Sequence, residues 1–283
     1  MPLYNRVVDV RVGKAGSEKG MLVTDLRVTF TAKKTLKSSS NMCQVSIYNL
    51  NETSRNQIQN IDDIFILSAG YKDEGGAEIL FVGNITKFEH KYQAPEWIST
   101  IEFNDGAKTL RDTKLSISFA PGKAVKDVIK SVAKSFGNPI KFFTSEGGSQ
   151  QFAQGFADIG TSKQMMDALC EKAGYEWCIQ NGEIKVVPVG KADGLSTVLL
   201  SPDTGMIGSP EKVEDTGTSG IQGQKKAGWK VRSLLLPKLE PAGRVSIQGS
   251  KAIKTAVYRV EAVEHKGDTH GEEWTTETLV TAL

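Results

Sequence analysis

Nowhere in the 283 residues is there an apolar run near the ~18 residues of a membrane-spanning helix, and the opening MPLYNRVVDVRVGK lacks the apolar stretch after a basic one that marks an export signal. The expectation is a chain neither membrane-embedded nor exported by a visible signal. An excess of one charge is missing too: 35 Lys and Arg stand against 33 Asp and Glu, a net +2, which excludes a strongly basic nucleic-acid coat and an acidic disordered tail. The three cysteines, Cys43, Cys170 and Cys178, are odd in number, unrelated in spacing and set among apolar residues. They imply no disulfide framework or zinc knuckle, and a reducing compartment fits. Histidine is equally scarce, with only His90, His265 and His270 available for acid–base or metal chemistry. No GxSxG, P-loop or GxGxxG pattern occurs, so hydrolase, nucleotidase and dehydrogenase chemistry lack their usual sequence support.

What is present is alternation. With 39% hydrophobic residues the chain can bury sizeable cores, and 28 glycines against 9 prolines favour turns and strands over long helices. Val8, Val10 and Val12 interleave with polar residues, as do Leu26, Val28, Phe30 and Ala32, and Cys43, Val45 and Ile47. That is the pattern of sheets wet on one face. Asn51 caps a short predicted helix through residue 61. Further strands are expected at 64–71 and 79–88 around the turn Asp73-Glu74-Gly75-Gly76, and at Trp97, Ser99, Ile101 and Phe103. Many short strands joined by polar turns suggest a small β-barrel or sandwich over residues 1–111.

Helical spacing then takes over. Val125, Val128, Ile129, Val132 and Phe136 form one apolar stripe that Gly137 can end, and Lys123, Lys126, Lys130 and Lys134 share the opposite, solvated face. Thr161 and Gln164 have capping-box spacing for a second helix that buries Met166, Leu169, Cys170 and Ala173 and stops at Gly174. Cys170 on that stripe reads as core packing rather than as a nucleophile. Asn181-Gly182 supplies a type I′ turn between two strands. Residues 112–191 thus read as a small α+β domain, and Glu171, Glu176 and Glu183 as its solvated carboxylates. Residues 192–283 read as β again, interrupted by a glycine-rich mobile loop at 205–228 that carries Lys225 and Lys226.

One internal echo stands out. GNITKFEHKYQAPEWISTIE from Gly83 parallels AVYRVEAVEHKGDTHGEEWTTETL from Ala256, with Glu89-His90-Lys91 matching Glu264-His265-Lys266 and Trp97 matching Trp274. Self-similarity of this kind points to repeated supersecondary structure. The fold class expected is mainly β with an α+β insert: two related β-barrel domains flanking a small α+β domain. His265 and His270 beside Glu264 and Asp268 lack the spacing of a metal site. The tryptophans Trp97, Trp177, Trp229 and Trp274 leave open an alternative, a host-surface or carbohydrate-binding module.

The segments DLRVTFTAKKTLKSSSNMCQVSIYNLNETSR, ILSAGY, FVGNIT, WISTIEFNDG, TGMIGSPEKVE, VRSLLLPKLEPAGRVSI and VEHKGDTHGEEWTTE, in that order, resemble the baseplate or tail hub proteins of tailed bacteriophages, the late control protein D-like group, and more distantly the hub of contractile injection systems. The resemblance implies a homotrimeric ring of six quasi-equivalent β units. Such a ring adapts a hexameric tail tube to a three-fold spike and leaves a channel for transient, non-specific DNA passage. It implies a virion protein of the tail tip or baseplate, assembled in the host cytoplasm, with tube, spike, other tail-tip and tape measure proteins as partners. It implies no enzyme activity, no cofactor and no membrane anchor. Glu89, His90, Trp97, Glu264, His265 and Trp274 are then structural positions of two ring-building hairpins.

Overall fold

Wherever period-two alternation was read, a strand forms. The computed structural model describes residues 5–14, 16–17, 20–143, 150–216 and 227–283. Its first region runs through β1 (Arg6–Gly13), β2 (Gly20–Val23), β3 (Val28–Thr35), β4 (Met42–Tyr48), α1 (Glu52–Gln57), β5 (Ile64–Tyr71), β6 (Gly76–Gln93), β7 (Glu96–Asn104) and α2 (Ala107–Asp112). Asn51 caps α1 by accepting the Ser54 N–H, but the helix stops at Gln57 instead of reaching residue 61, because Ile58 leaves helical geometry to bury its side chain. The middle region holds β8 (Lys114–Phe119), α3 (Val125–Lys134), β9 (Ile140–Phe142), β10 (Phe156–Thr161), α4 (Ser162–Ala173), β11 (Tyr175–Gln180) and β12 (Glu183–Pro188). Thr161 and Gln164 make the expected capping box, and Asn181 and Gly182 both take positive φ in the β11–β12 turn. The last region holds β13 (Thr197–Leu200), β14 (Met206–Val213), β15 (Gly228–Leu234), β16 (Arg244–Ile247), β17 (Ala256–Asp268) and β18 (Trp274–Ala282).

The expected loop at 205–228 is therefore corrected over part of its length. Met206–Val213 is a strand paired with β15, its alternation hidden by the bulge at 208–210 where the register shifts. Lys225 and Lys226 lie outside the described residues.

Thirteen strands share one sheet, in the order β14-β15-β18-β17-β3-β4-β7-β6-β5-β1-β2, with β13 and β16 attached beside β17. No barrel closes among the described residues: β14 and β2 are the two ends of an open ladder. The antiparallel pairing of β17 with β3 makes one sheet of what the sequence presents as two separate β regions. Two main cores lie along it. One gathers β1, β3–β7 and, from far along the chain, Leu235 and Trp274; the other gathers Leu200, Val231, Val245, Val260 and Val280 with their neighbours. A third core packs α3 and α4 on β11 and β12.

The opposite face of the sheet is polar. Residues that oppose one another on neighbouring strands share a face, so Lys266, Thr31, Gln44, Glu102 and Lys87 form one row across five strands. Several charges on this face are paired: Lys87 with Glu102 at 3.4 Å, Lys33 and Lys266 with Glu264 at 3.2 and 3.3 Å, and Lys230 with Glu277 at 2.9 Å.

The β11–β12 hairpin is seated where the two β regions meet. Asn41 donates to the Ile179 carbonyl at 2.9 Å, Gln180 to that of Thr35 at 2.9 Å, and the Gly182 N–H to Asp105 at 3.0 Å. Buried Lys185 meets Glu240 at 2.6 Å and Asp193 at 3.9 Å, while buried Lys34 reaches Glu240 at 3.7 Å. Burial would raise Glu240, yet Lys34 and Lys185 together hold it below its ordinary value. Glu176 corrects another expectation: it is not a solvated carboxylate but an ion-pair partner of buried Arg259, which also contacts buried Glu261 at 3.4 Å.

Candidate functional site

The two echoed hairpins, β6–β7 and β17–β18, have the same internal register. Each carries a bulge four residues before its histidine, at Thr86 between the pairs of Ile85 and Lys87 and at Glu261 between those of Val260 and Ala262. Each histidine then faces a hydroxyl residue. His90 opposes Ser99, with Nδ1 2.9 Å from Oγ, and His265 opposes Thr276, with Nδ1 2.8 Å from Oγ1. Two residues on, Tyr92 opposes Trp97 and Gly267 opposes Trp274, so the tryptophans occupy one position in the repeat.

Their surroundings differ. Trp274 is 1% exposed, edge-on to Phe30 at 5.6 Å and to Tyr71 at 6.4 Å. Trp97 is 38% exposed and Tyr92 beside it 55%, with only Arg55 lying over the indole, 4.2 Å from its centroid. His265 is fully buried, and burial and then nearby Lys34 hold its pKa well below 6.5, so it stays neutral. His90 is half-buried, with Nε2 3.3 Å from the Ile58 carbonyl oxygen. Glu264 bridges Lys33 and Lys266, while Glu89 lies exposed on the polar face.

The repeat extends beyond the hairpins. The order β14-β15-β18-β17 matches β3-β4-β7-β6 strand for strand. Ser233 opposes Thr276 as Ile47 opposes Ser99, and Met206 opposes Ser233 as Val28 opposes Ile47. The six predicted positions thus form two equivalent sets of three, separated along the sheet by β3 and β4, and do not converge on a single site. Lys91 belongs to the echoed Glu-His-Lys, whereas Glu211 has no such signal in the sequence, because β14 and β3 share register but almost no sequence.

Among the described residues no group of three or more His, Cys, Asp or Glu could hold a metal ion. His270 lies exposed in the β17–β18 turn, 2.9 Å from Thr269 Oγ1. Cys170 is buried in the helical core, and burial pushes its thiol up to about 12, away from nucleophile chemistry. A cavity of about 70 Å³ against Tyr71 and Leu235 has room for little more than water. Trp177 is buried beside Phe136, and Trp229 is half-buried against the second β core. Of the four tryptophans, Trp97 alone is exposed for stacking on a sugar. No helix among the described residues is long and apolar enough to cross a membrane.

No family model and no curated protein matches the sequence. Solved structures do match its whole length. The 43 kDa tail protein of prophage MuSo2 from Shewanella oneidensis superposes with a TM-score of 0.69 at 10% identity, over 98% of this chain and 97% of that one. The fold is that of phage tail proteins. A tail protein from Neisseria meningitidis MC58 gives 0.67 at 13% identity, over 98% and 96% of the two chains. An E. coli component of the type VI secretion system, described as similar to the T4 bacteriophage tail proteins gp27 and gp5, gives 0.64 at 12% identity, over 97% of this chain and 76% of that one.

Proposed function

We propose that this chain is the structural hub of a phage tail tip or baseplate, a homotrimer whose subunits each supply two equivalent β units to a pseudo-six-fold ring. The observation that carries the reading is the repeat itself: two four-strand units of the same order, bulge and register within one chain, in a fold shared with tail proteins. Such duplication resolves a symmetry mismatch, since three chains present six similar units to a hexameric tube while a three-fold spike docks on their unlike parts. In this reading the domains are 1–111, 112–191 and 192–283, the α+β domain faces neighbouring tail-tip proteins, and the ring's channel passes DNA without holding it. The work of the protein is adaptation and conduction within the virion tail, with no reaction to catalyse.

Negative-stain imaging of the purified protein, with light-scattering mass on the same sample, tests this. Three-chain rings with six-lobed averages are expected. A monomer that forms no rings when concentrated or mixed with its tube and spike partners overturns the reading.

A further inference from the structure

Within one chain the two equivalent units are joined where β17 of one pairs with β3 of the other. In the repeat, the counterpart of β17 is β6 and the counterpart of β3 is β14. Both counterparts have open edges. β6 pairs with β7 along one side, but its other side ladders with β5 only over Gly76–Asn84. Past the two backbone bonds between Ile85 and Asp62–Asp63, no strand pairs with that side through Gln93 among the described residues. β14 ladders with β15 and, among the described residues, with no other strand. Open strand edges of this length are templates for pairing.

We infer that the open edge of β6, residues 85–93, pairs antiparallel with β14 of a second copy, in the register that β17 and β3 use within a single chain. The inference rests on the hub reading and names the strands that close its ring. Transferring the observed pairs Glu264–Lys33, His265–Ala32, Lys266–Thr31 and Asp268–Thr29 through the repeat sets Glu89 opposite Val213, His90 opposite Lys212, Lys91 opposite Glu211 and Gln93 opposite Ile207.

Three features of the two edges fit one another in this register. Lys91 and Glu211, both exposed and on the polar face, meet with opposite charge. At the next position the fit is one of size. Inside the chain Gly267 opposes Phe30, and a Cβ on Gly267 would fall 2.4 Å from the Phe30 ring. In the counterpart the bulky residue is Tyr92 and the facing strand is opened by the bulge at 208–210, where Gly208 replaces bulk with space. The third feature is exposure. Trp274 is covered by Phe30 of the strand paired with its hairpin, whereas Trp97 and Tyr92 stand exposed on a hairpin that has no such outer partner among the described residues.

The test uses the full-length chain carrying Lys91→Cys and Glu211→Cys together. Directly opposed residues of an antiparallel pair lie within disulfide reach, and the three native cysteines are buried. Mild oxidation is expected to give covalent trimers on a non-reducing gel. An equimolar mixture of the two single variants should stop at dimers, and the off-register pair Lys91→Cys with Ile207→Cys should give no cross-link. As an independent readout, Lys91→Glu should raise the concentration for half-assembly by about tenfold, and adding Glu211→Lys should restore it. An oligomer by light scattering that neither cross-links nor responds to the charge reversal overturns the strand pairing while leaving the hub reading standing. A protein that stays monomeric at every concentration overturns both.

Discussion

Asp105 shows how much the junction between the β regions depends on a few buried charges. It sits at the end of β7, 1% exposed, accepting the Gly182 N–H of the β11–β12 turn, and burial pushes its pKa up to about 6. An unfolded aspartate titrates near 3.9, so the native state holds this proton the more tightly. The stability that follows is fully present below about pH 4 and is lost as pH rises through about 6, amounting to about 3 kcal/mol at about 1.4 kcal/mol per pKa unit. Asp105→Asn cannot titrate. Its unfolding free energy in urea, measured against wild type from pH 4 to 7, should gain on wild type by about 2–3 kcal/mol across that range; a difference that does not move with pH would refute the assignment. His265 acts with the opposite sign, because a neutral buried imidazole favours the folded state only above about pH 6.5. None of this could be read from the sequence. Lys34, Asp105, Lys185 and Glu240 are scattered along the chain, and only the folded sheet gathers them.

At the scale of elements, legibility followed periodicity. β1, β3–β7, α3, α4 and the final hairpin were visible because each buries one face at its own regular spacing. β10 was not, since its Ala157, Asp158 and Gly160 carry little hydrophobic signal; β8 was passed over although Leu115, Ile117 and Phe119 alternate with polar residues and pack on the helical core. The repeat was legible in the hairpins as Glu-His-Lys and Trp, but its outer strands had diverged in sequence while keeping their register. Glu176 was misread for the same reason that sequence patterns mislead at interfaces: on its own strand it alternates outward, and only the second β region covers it. That contact yields a prediction. Arg259 joins Glu176 on β11 to Glu261 at the β17 bulge, and Glu261 also accepts from Thr281 at 2.5 Å. Arg259→Met takes the cation away from Glu176 and should cost about 3–5 kcal/mol in chemical denaturation. A loss under 1 kcal/mol would mean that the cluster does not hold the insert to the sheet.

For the whole molecule, the central property is that one chain contains a complete junction between its two units and, among the described residues, a copy of each side of that junction with an open edge. An assembly built by that rule is heterologous and head-to-tail, and it closes only if the rotation per subunit divides the circle. Because the pairing adds contacts absent from the monomer, the thermal midpoint should climb with protein concentration across the range in which light scattering sees assembly. A midpoint that is constant over that range would show that the contacts contribute nothing to stability. The polar face has a consequence of a different kind. On it Lys87 and Lys230 each hold a carboxylate of their own and Lys33 and Lys266 share Glu264, all within 3.4 Å, far less than the roughly 8 Å over which salt water screens a charge. Three carboxylates against four lysines cancel most of the field before it reaches far into the solvent. A long polyanion drawn across these four lysines would travel over a nearly level potential with no deep trap among them, and its friction there would change little between dilute and concentrated salt.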